Sequence, residues 1–506
     1  MKRHRWSLAT AACLLASRAA LAQLPAAPDS PPPAPTPAPT SAPPPPILTE
    51  LEEPPLVGES NKLIFVRDRR DVIRLYPHAE LSLQAQGFFG SRVTDVTAAH
   101  AGADLGPRFF VRHSRFELGG ELVKRLAFNA AIELRANPAI DGARAAGRDT
   151  KIALDDAWGY VNAGRGLGMM LGLFQAPFSL ENRTRVRDLA FLERSVAVRG
   201  FAVPAPKVLG AAITGRTYTA IGRLSWTLGG FGAEALTPGD PDRGFDGIGQ
   251  IGLEPLATHL DHGDLRSLYF GLSARGGSRN PRDASTDAPA VTTRQGFALW
   301  RPTRSSVAGD AHVLQTGSQG ALGLAARIPT RYVTLRAEGF WARKDTREVG
   351  GSAGERGGTL QGFSGYAELS LWPLMAFGVL QTEQIELGTY PEPQHLELAS
   401  AVPHQDRYGL ELALMAGGIQ ARYEPASRSG PSDPALPDSE LRVLELGAAL
   451  NYWHTERFKL AASYNLYITP GSGTPENLAL VPGNLGGEDL TAHRLHEVSA
   501  RMTLSF

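Results

Sequence analysis

An all-β chain closed into a transmembrane antiparallel barrel is what this sequence predicts, on three observations. Its last segment alternates polar and apolar residues without a slip, the same period of two recurs along most of the chain, and no apolar run beyond the first residues reaches the length of a membrane-crossing helix. In an extended strand successive side chains point to opposite faces. From His496 to Phe506, Val498, Ala500, Met502, Leu504 and Phe506 therefore share one face, while Glu497, Ser499, Arg501, Thr503 and Ser505 share the other. One face suits lipid and the other water. A spanning helix needs about 20 apolar residues, and the remaining structure that pairs every backbone group inside lipid is a closed barrel.

The first 22 residues read as an export signal. Lys2, Arg3, His4 and Arg5 form a positive start, residues 6–17 a short apolar core, and Ala20, Leu21 and Ala22 a small-residue cleavage site before Gln23. Lipid attachment at Cys13 is the weaker alternative, because the residues before it make a poor attachment site. Cys13 is the sole cysteine, so the processed chain has no disulfide framework. With an exported chain, an alternating last strand that ends on an aromatic ring is the pattern of bacterial outer-membrane barrels.

Removing residues 1–22 takes away Lys2, Arg3, Arg5 and Arg18, so 51 basic residues become 47 against 51 acidic ones, a net charge of 47 − 51 = −4. This excludes nucleic acid as an expected partner, since duplex affinity rests on a basic surface. Residues 25–55 hold 14 of the 38 prolines. Such a stretch cannot bury a core and reads as an extended linker, assigned to residues 23–60. The barrel is assigned to residues 61–506.

Within that range Glu80–Gln86, Arg115–Leu122, Phe128–Arg135, Val333–Glu338 and Tyr366–Leu371 all alternate, with charges on the polar face. Inward-facing Arg115, Glu117, Glu121, Glu133, Arg135, Arg336 and Glu338 are expected to line a hydrated lumen. Short turns are expected at Val123–Leu126, Asn162–Leu167, Ile328–Arg331, Trp372–Leu374, Ala416–Gly418 and Trp453–Arg457. Long Gly, Pro and polar stretches fall between them. Turns on one rim and long loops on the other are a barrel signature. Counting passes gives about eighteen strands, with residues 293–328 hard to parse. Phe88, Phe89, Trp158, Tyr160, Trp341, Trp372, Tyr452, Trp453 and Phe506 are candidates for interfacial girdles. The last strand is expected to pair with the first, near residues 72–90.

One segment breaks the alternation. After Met169–Phe174 the chain runs through Pro177, Phe178, Ser179, Leu180 and Glu181, and then through Asp188, Leu189, Ala190, Phe191, Leu192, Glu193, Arg194 and Ser195, before a strand resumes at Val208. This stretch, with the hairpins Arg115–Arg135 and Leu154–Val161, resembles the phosphate-selective porin family of the O and P type. The resemblance implies a sixteen-stranded barrel, a homotrimer, and an inward-folded loop narrowing an anion-preferring pore. Members selective for phosphate use lysine clusters, whereas only Lys62, Lys124, Lys151, Lys207, Lys344 and Lys459 come after the leader here. Phosphate or polyphosphate therefore stays one candidate solute among small anions.

Arg183, Arg185 and Arg187 are spaced by two, so an extended chain would place their guanidinium groups on one face as an anion-handing ladder that Arg194 and Arg199 extend. A helical chain would splay them apart, and local pairing with Glu181, Asp188 and Glu193 would quench them. The sequence holds no zinc-binding His-Glu-x-x-His, no Gly-x-Ser-x-Gly and no phosphate-binding Gly-rich loop, so neither an enzyme nor a cofactor is expected. A passive channel for small anions, set in outer-membrane lipid, is the first expectation. An anchoring barrel working through its proline-rich arm is the second.

Overall fold

Period-two patterning in lipid leads to strands whose backbone groups are all paired by neighbours, in a sheet without free edges. The computed structural model describes residues 57–60, 63–70, 72–90, 107–123, 125–136, 150–164, 166–200, 202–203, 207–232, 244–258, 265, 268–280, 291–296, 298–300, 312–330, 332–349, 356–374, 409–425, 439–455, 457–468 and 494–505. A short hairpin, β1 (Val57–Ser60) and β2 (Leu63–Arg67), comes first. The wall then begins with β3 (Ile73–Gly90), β4 (Arg108–Leu122), β5 (Leu126–Ala136), β6 (Thr150–Gly164), β7 (Leu167–Gln175), β8 (Lys207–Thr219), β9 (Gly222–Gly232), β10 (Phe245–Glu254) and β11 (Tyr269–Arg279). A small separate hairpin comes next, β12 (Val291–Thr292) and β13 (Ala298–Trp300). The wall continues with β14 (His312–Pro329), β15 (Val333–Val349), β16 (Arg356–Leu374), β17 (Gly409–Pro425), β18 (Ser439–Thr455), β19 (Phe458–Ile468) and β20 (Arg494–Ser505).

Each wall strand pairs antiparallel with its neighbours in sequence, and β20 returns to β3 through Leu495↔Gly90 to Ser505↔Glu80. The result is a closed barrel of sixteen strands. The hairpin adds to the start of β3 through Val66↔Leu75 and Arg67↔Arg74. Asp68 fixes the turn between them, accepting the N–H groups of Arg70, Val72 and Ile73 at 3.2, 2.7 and 2.8 Å.

The two faces are partitioned the opposite way to a water-soluble protein. Outward residues are large and apolar, with Phe109 85% and Leu324 65% exposed, while inward Glu445, Asn465 and Glu497 are fully buried. Burying apolar surface is worth about 25 cal/mol per Å², so a wall that turns Phe109, Leu171, Leu228, Leu324 and Phe363 outward is stable only against lipid. In β20 the polar set Glu497, Ser499, Arg501, Thr503 and Ser505 points inward and Val498 outward, as the alternation requires. Residues 1–56, most residues of the long loops and Phe506 lie outside the described residues, so the expected export signal and most of the expected linker do too.

Several expectations need correction. Ala416–Gly418 is not a turn, because β17 crosses in one pass, and reading a turn there adds to the strand count. The glycines serve close packing instead: a Cβ on Gly417 would fall 2.7 Å from the Tyr366 Cβ, and one on Gly418 would fall 2.3 Å from the Val443 carbonyl oxygen. The strand Val57–Ser60 lies inside the range read as linker. A further tight turn, between Thr219 and Gly222, joins β8 to β9. Among the girdle aromatics Phe89 faces outward, whereas Phe88, Tyr160, Trp372 and Trp453 are buried. The expected turns at Val123–Leu126, Asn162–Leu167, Ile328–Arg331 and Trp453–Arg457 do join β4 to β5, β6 to β7, β14 to β15 and β18 to β19. Trp372–Leu374 ends β16, and residues 375–408 beyond it are outside the described set.

Candidate functional site

Irregular backbone inside a barrel leaves N–H and C=O groups unpaired unless the wall supplies partners. Residues 176–200 fold inward between β7 and β8, and the wall answers them one by one. The segment carries two single-turn helices, α1 (Leu180–Arg183) and α2 (Val196–Arg199), with a 3-10 turn at Val186–Asp188 between them. Ser179 caps α1 at φ 70°, its Oγ accepting the Asn182 N–H at 3.2 Å. Inward-facing Glu338 of β15 then accepts from Ser179 Oγ (3.1 Å), Leu180 N (2.7 Å), Glu181 N (2.8 Å) and Tyr366 Oη (2.6 Å). A carboxylate is well placed at the first N–H groups of a helical turn.

The far end is held in the same manner. Glu181 reaches across the loop and accepts from Ser195 N (3.0 Å) and Ser195 Oγ (2.6 Å). Val196 N donates to Glu445 of β18 at 2.9 Å. The loop carbonyls take wall donors: Lys459 Nζ to Arg187 O (2.9 Å) and Leu189 O (2.8 Å), Asn451 Nδ2 to Ala190 O (2.7 Å), Arg501 Nη1 to Leu192 O (2.7 Å) and Ser364 Oγ to Ala197 O (2.9 Å). Leu189, Phe191, Leu192, Val196, Ala197 and Val198 are buried as a result.

Glu193 joins the loop to both sides of the β3–β20 seam. Arg501 Nη2 donates to its Oε1 at 2.5 Å and Arg112 Nε at 2.9 Å. Burial would raise the Glu193 carboxyl, but Arg112, Arg501 and His113 outweigh it and hold it well below the usual range.

Where the loop leaves the wall, polar side chains keep some exposure. The side chains of Arg112, His113, Arg115 and Lys207 are 16–22% exposed, against 0–1% for Glu181, Arg294 and Glu445 on the packed side. An irregular register between Ala131 and Ile132 turns both Asp155 and Asp156 inward. Arg115 bridges them at 2.5 Å each and meets Glu117 at 3.2 Å, while Lys207 binds Asp156 at 2.6 Å. This stretch of wall on β4, β6 and β8 presents both signs of charge to the lumen.

The five arginines singled out from the sequence all lie on the in-folded segment, but they do not form the extended ladder. The chain is helical at Arg183 and turns again at Arg187, so the spacing of two splays them. Buried Arg183 donates to Gln250 at 2.7 Å. Arg187 lies 3.4 Å from Asp188, and its pKa, which burial would lower, is raised by Asp188, Glu80 and Glu117. Arg194 donates to the carbonyls of Glu181, Asn182 and Thr184 at 3.4, 2.9 and 3.3 Å, and Arg199 to Thr292 Oγ1 at 3.2 Å. Burial lowers the pKa of both Arg194 and Arg199. Arg185 is exposed and interacts electrostatically with Glu117. Two of the five, Arg194 and Arg199, thus tie the loop to itself or to residues 292–294.

The residues that fix the loop, Glu338, Glu445, Asn451, Lys459 and Arg501, carry no motif. Their one sequence signal is inward parity on an alternating strand, which marked Glu338 as lining without revealing its partner. Among the described residues no group of three or more His, Cys, Asp or Glu could hold a metal ion, and no helix is long and apolar enough to cross a membrane.

Residues 83–228 match the phosphate-selective porin O and P family, the family whose pattern the residues around the in-folded segment carry. No curated protein matches the chain in sequence. Among solved structures, the chain is similar to in-vitro folded OmpT of Vibrio cholerae (8% identity, 86% of this chain and 98% of that chain, TM-score 0.45). It is also similar to an anion-selective porin from Comamonas acidovorans (11% identity, 86% and 100%, TM-score 0.43) and to Salmonella typhi OmpF in complex with daunomycin (10% identity, 86% and 99%, TM-score 0.46).

Proposed function

We propose, from the premise that residues 83–228 are of the phosphate-selective porin O and P kind, that this barrel is an outer-membrane porin passing small anions by diffusion. The observation that carries the reading is a closed wall, apolar outside and charged inside, with one segment folded across its lumen and a partly exposed charged face left beside it. In a low-dielectric wall such charges concentrate counter-ions and favour one sign of solute.

The solute path runs between the in-folded segment and the β4, β6 and β8 wall, with Arg185, Arg187, Arg112 and Arg115 as its positive groups and Glu117, Asp155 and Asp156 as its negative ones. Arg183, Arg194 and Arg199 contribute by holding the segment that frames the path. Phosphate is one of the anions this mixture accommodates, and the near balance of signs favours modest preference over tight binding. The protein reaches the outer membrane through a cleaved leader of 22 residues and assembles there as a homotrimer in lipid.

Purified protein in a planar lipid bilayer tests this reading. Stepwise conductance is expected, with a reversal potential in a salt gradient that reports anion preference and a chloride current reduced by added phosphate. Absence of steps would sink the channel reading. It would favour an anchoring barrel, a reading supported by how completely the segment packs against β18 and β19 and by the proline-rich arm before the barrel.

A further inference from the structure

A second segment also enters the lumen. Residues 291–296, in the connection between β11 and β14, carry Arg294, whose side chain is almost fully buried. We propose that Arg294 is a latch, a positioning residue that holds the constriction segment against the β18–β20 side and so sets the width of the path on the opposite side. The effect on conductance rests on the porin reading, whereas the latch itself does not.

The Arg294 guanidinium touches the segment at both ends and the wall behind it. Nε donates to Glu445 Oε1 at 2.7 Å, and Nη1 donates to the Glu193 carbonyl oxygen. The group lies 4.3 Å above the Phe191 ring and 3.6 Å from Glu181. Glu445 in turn accepts the Val196 N–H, so one ion pair joins residues 181, 193, 196 and 445. Burial opposes charge on Arg294, but Glu445 and Glu181 prevail and raise its pKa.

The backbone around Arg294 is anchored independently. Arg294 N donates to Tyr467 Oη at 3.0 Å, Gln295 N to Glu497 Oε2 at 3.2 Å, and Gln84 Nε2 to Gln295 Oε1 at 2.5 Å. The guanidinium therefore projects from a support that the wall holds by its own contacts. Arg199 answers from the segment by donating to Thr292 Oγ1 and to the Arg294 carbonyl oxygen.

Removing one partner of a buried ion pair leaves the other charge unpaired, which is strongly destabilising. Without Arg294, the buried Glu181 and Glu445 side chains would lose their cationic partner and the Glu193 carbonyl would lose its donor. None of these groups belongs to the hydrogen-bond ladder that closes the wall. Relief comes locally, by the segment leaving the wall and water entering.

The test uses the full chain with Cys13→Ser, so that one introduced cysteine is unique. Ala197→Cys, at a fully buried site, is challenged with a charged, membrane-impermeant methanethiosulfonate reagent on folded protein. Labelling is expected to accelerate by roughly two orders of magnitude in Arg294→Gln, the population shift that losing one partner of a buried pair brings to a local opening. Glu445→Gln should move it the same way, Arg294→Lys should partly restore protection, and single-channel conductance should rise with labelling. Unchanged labelling in a heat-resistant Arg294→Gln barrel would overturn the latch. Loss of the folded barrel in both Arg294→Gln and Glu445→Gln would overturn it too, since a latch leaves the wall intact. A parent chain without conductance would sink the porin reading while leaving the labelling result valid.

Discussion

Replacing Glu338 by alanine removes one carboxylate that answers four donors at once, and the consequence can be worked from the distances. Ser179 Oγ, Leu180 N, Glu181 N and Tyr366 Oη reach it at 3.1, 2.7, 2.8 and 2.6 Å. The two hydroxyls can rotate towards water in the vacated space, but the two backbone N–H groups cannot. Each buried donor left without an acceptor costs about 1–3 kcal/mol, so the pair costs about 2–4 kcal/mol once some water enters. At 1.4 kcal/mol per factor of ten, local opening of residues 176–186 should become about 30-fold to 700-fold more frequent. Amide hydrogen exchange in detergent-solubilised protein reads this directly at Leu180 and Glu181. Heat resistance of the barrel should stay unchanged, because the backbone pairs Ala325↔Glu338 and Glu338↔Tyr366 do not depend on the side chain. Glu338→Gln keeps one carbonyl oxygen and should show about half the free-energy effect. Unaltered exchange at Leu180 and Glu181 in the alanine variant would refute the claim that this carboxylate anchors the segment.

The same contacts lead to three further outcomes. Arg185→Ala should shift the reversal potential towards cations without altering exchange in the segment, whereas Arg194→Ala, which strips donors from three carbonyls, should loosen the segment by about 2–3 kcal/mol; equal effects of the two on exchange would contradict this division. The Glu193 carboxyl lies below its ordinary value of 4.5 in the folded protein, so the stability it adds is present above that value and lost only as pH falls through the depressed one; thiol labelling of the Ala197→Cys chain that already rises between pH 7 and pH 5 would count against it. Gly418→Val puts a Cβ 2.3 Å from the Val443 carbonyl oxygen and should cost the barrel about 1–3 kcal/mol, seen as a lower temperature of loss of the heat-resistant band on gels.

How much was legible differs from feature to feature for physical reasons. The last strand could be read because alternation is a local property and its two faces meet different solvents; Glu497 to Ser505 needed no partner to declare themselves. Gly417 and Gly418 misled because glycine serves a turn and a close approach equally well, and only the register against Tyr366 and Val443 separates the two. The bulge beside Ile132 reverses the parity of the residues paired beyond it, which is why Tyr160 is buried although rings near a strand end suggest a girdle. The in-folded segment was visible as a break after Phe174. The fate of its arginines was not, because the helical turn at Arg183 is anchored by a glutamate 158 residues away in sequence. Arg294 sits where no period guides the eye, and its partners Glu181, Phe191, Glu193 and Glu445 come from two distant parts of the chain.

The seam between the first and last wall strands bears on how the molecule assembles. Ser82 and Thr503 hydrogen-bond at 3.1 Å across a sequence separation of 421 residues. Such a contact cannot form until nearly all of the chain has been delivered, and loop closure of that length is a slow, entropically costly event. Until then β3 and β20 each present a ladder of unsatisfied N–H and C=O groups, a template for pairing with the wrong strand. Truncating Arg494–Ser505 would therefore yield no smaller barrel of fifteen strands; it would yield an open, aggregation-prone sheet. Folding of this chain is thus gated by its final twelve-residue strand, which makes that strand the natural point at which an assembly factor, or a competing strand peptide, could control whether the barrel ever closes.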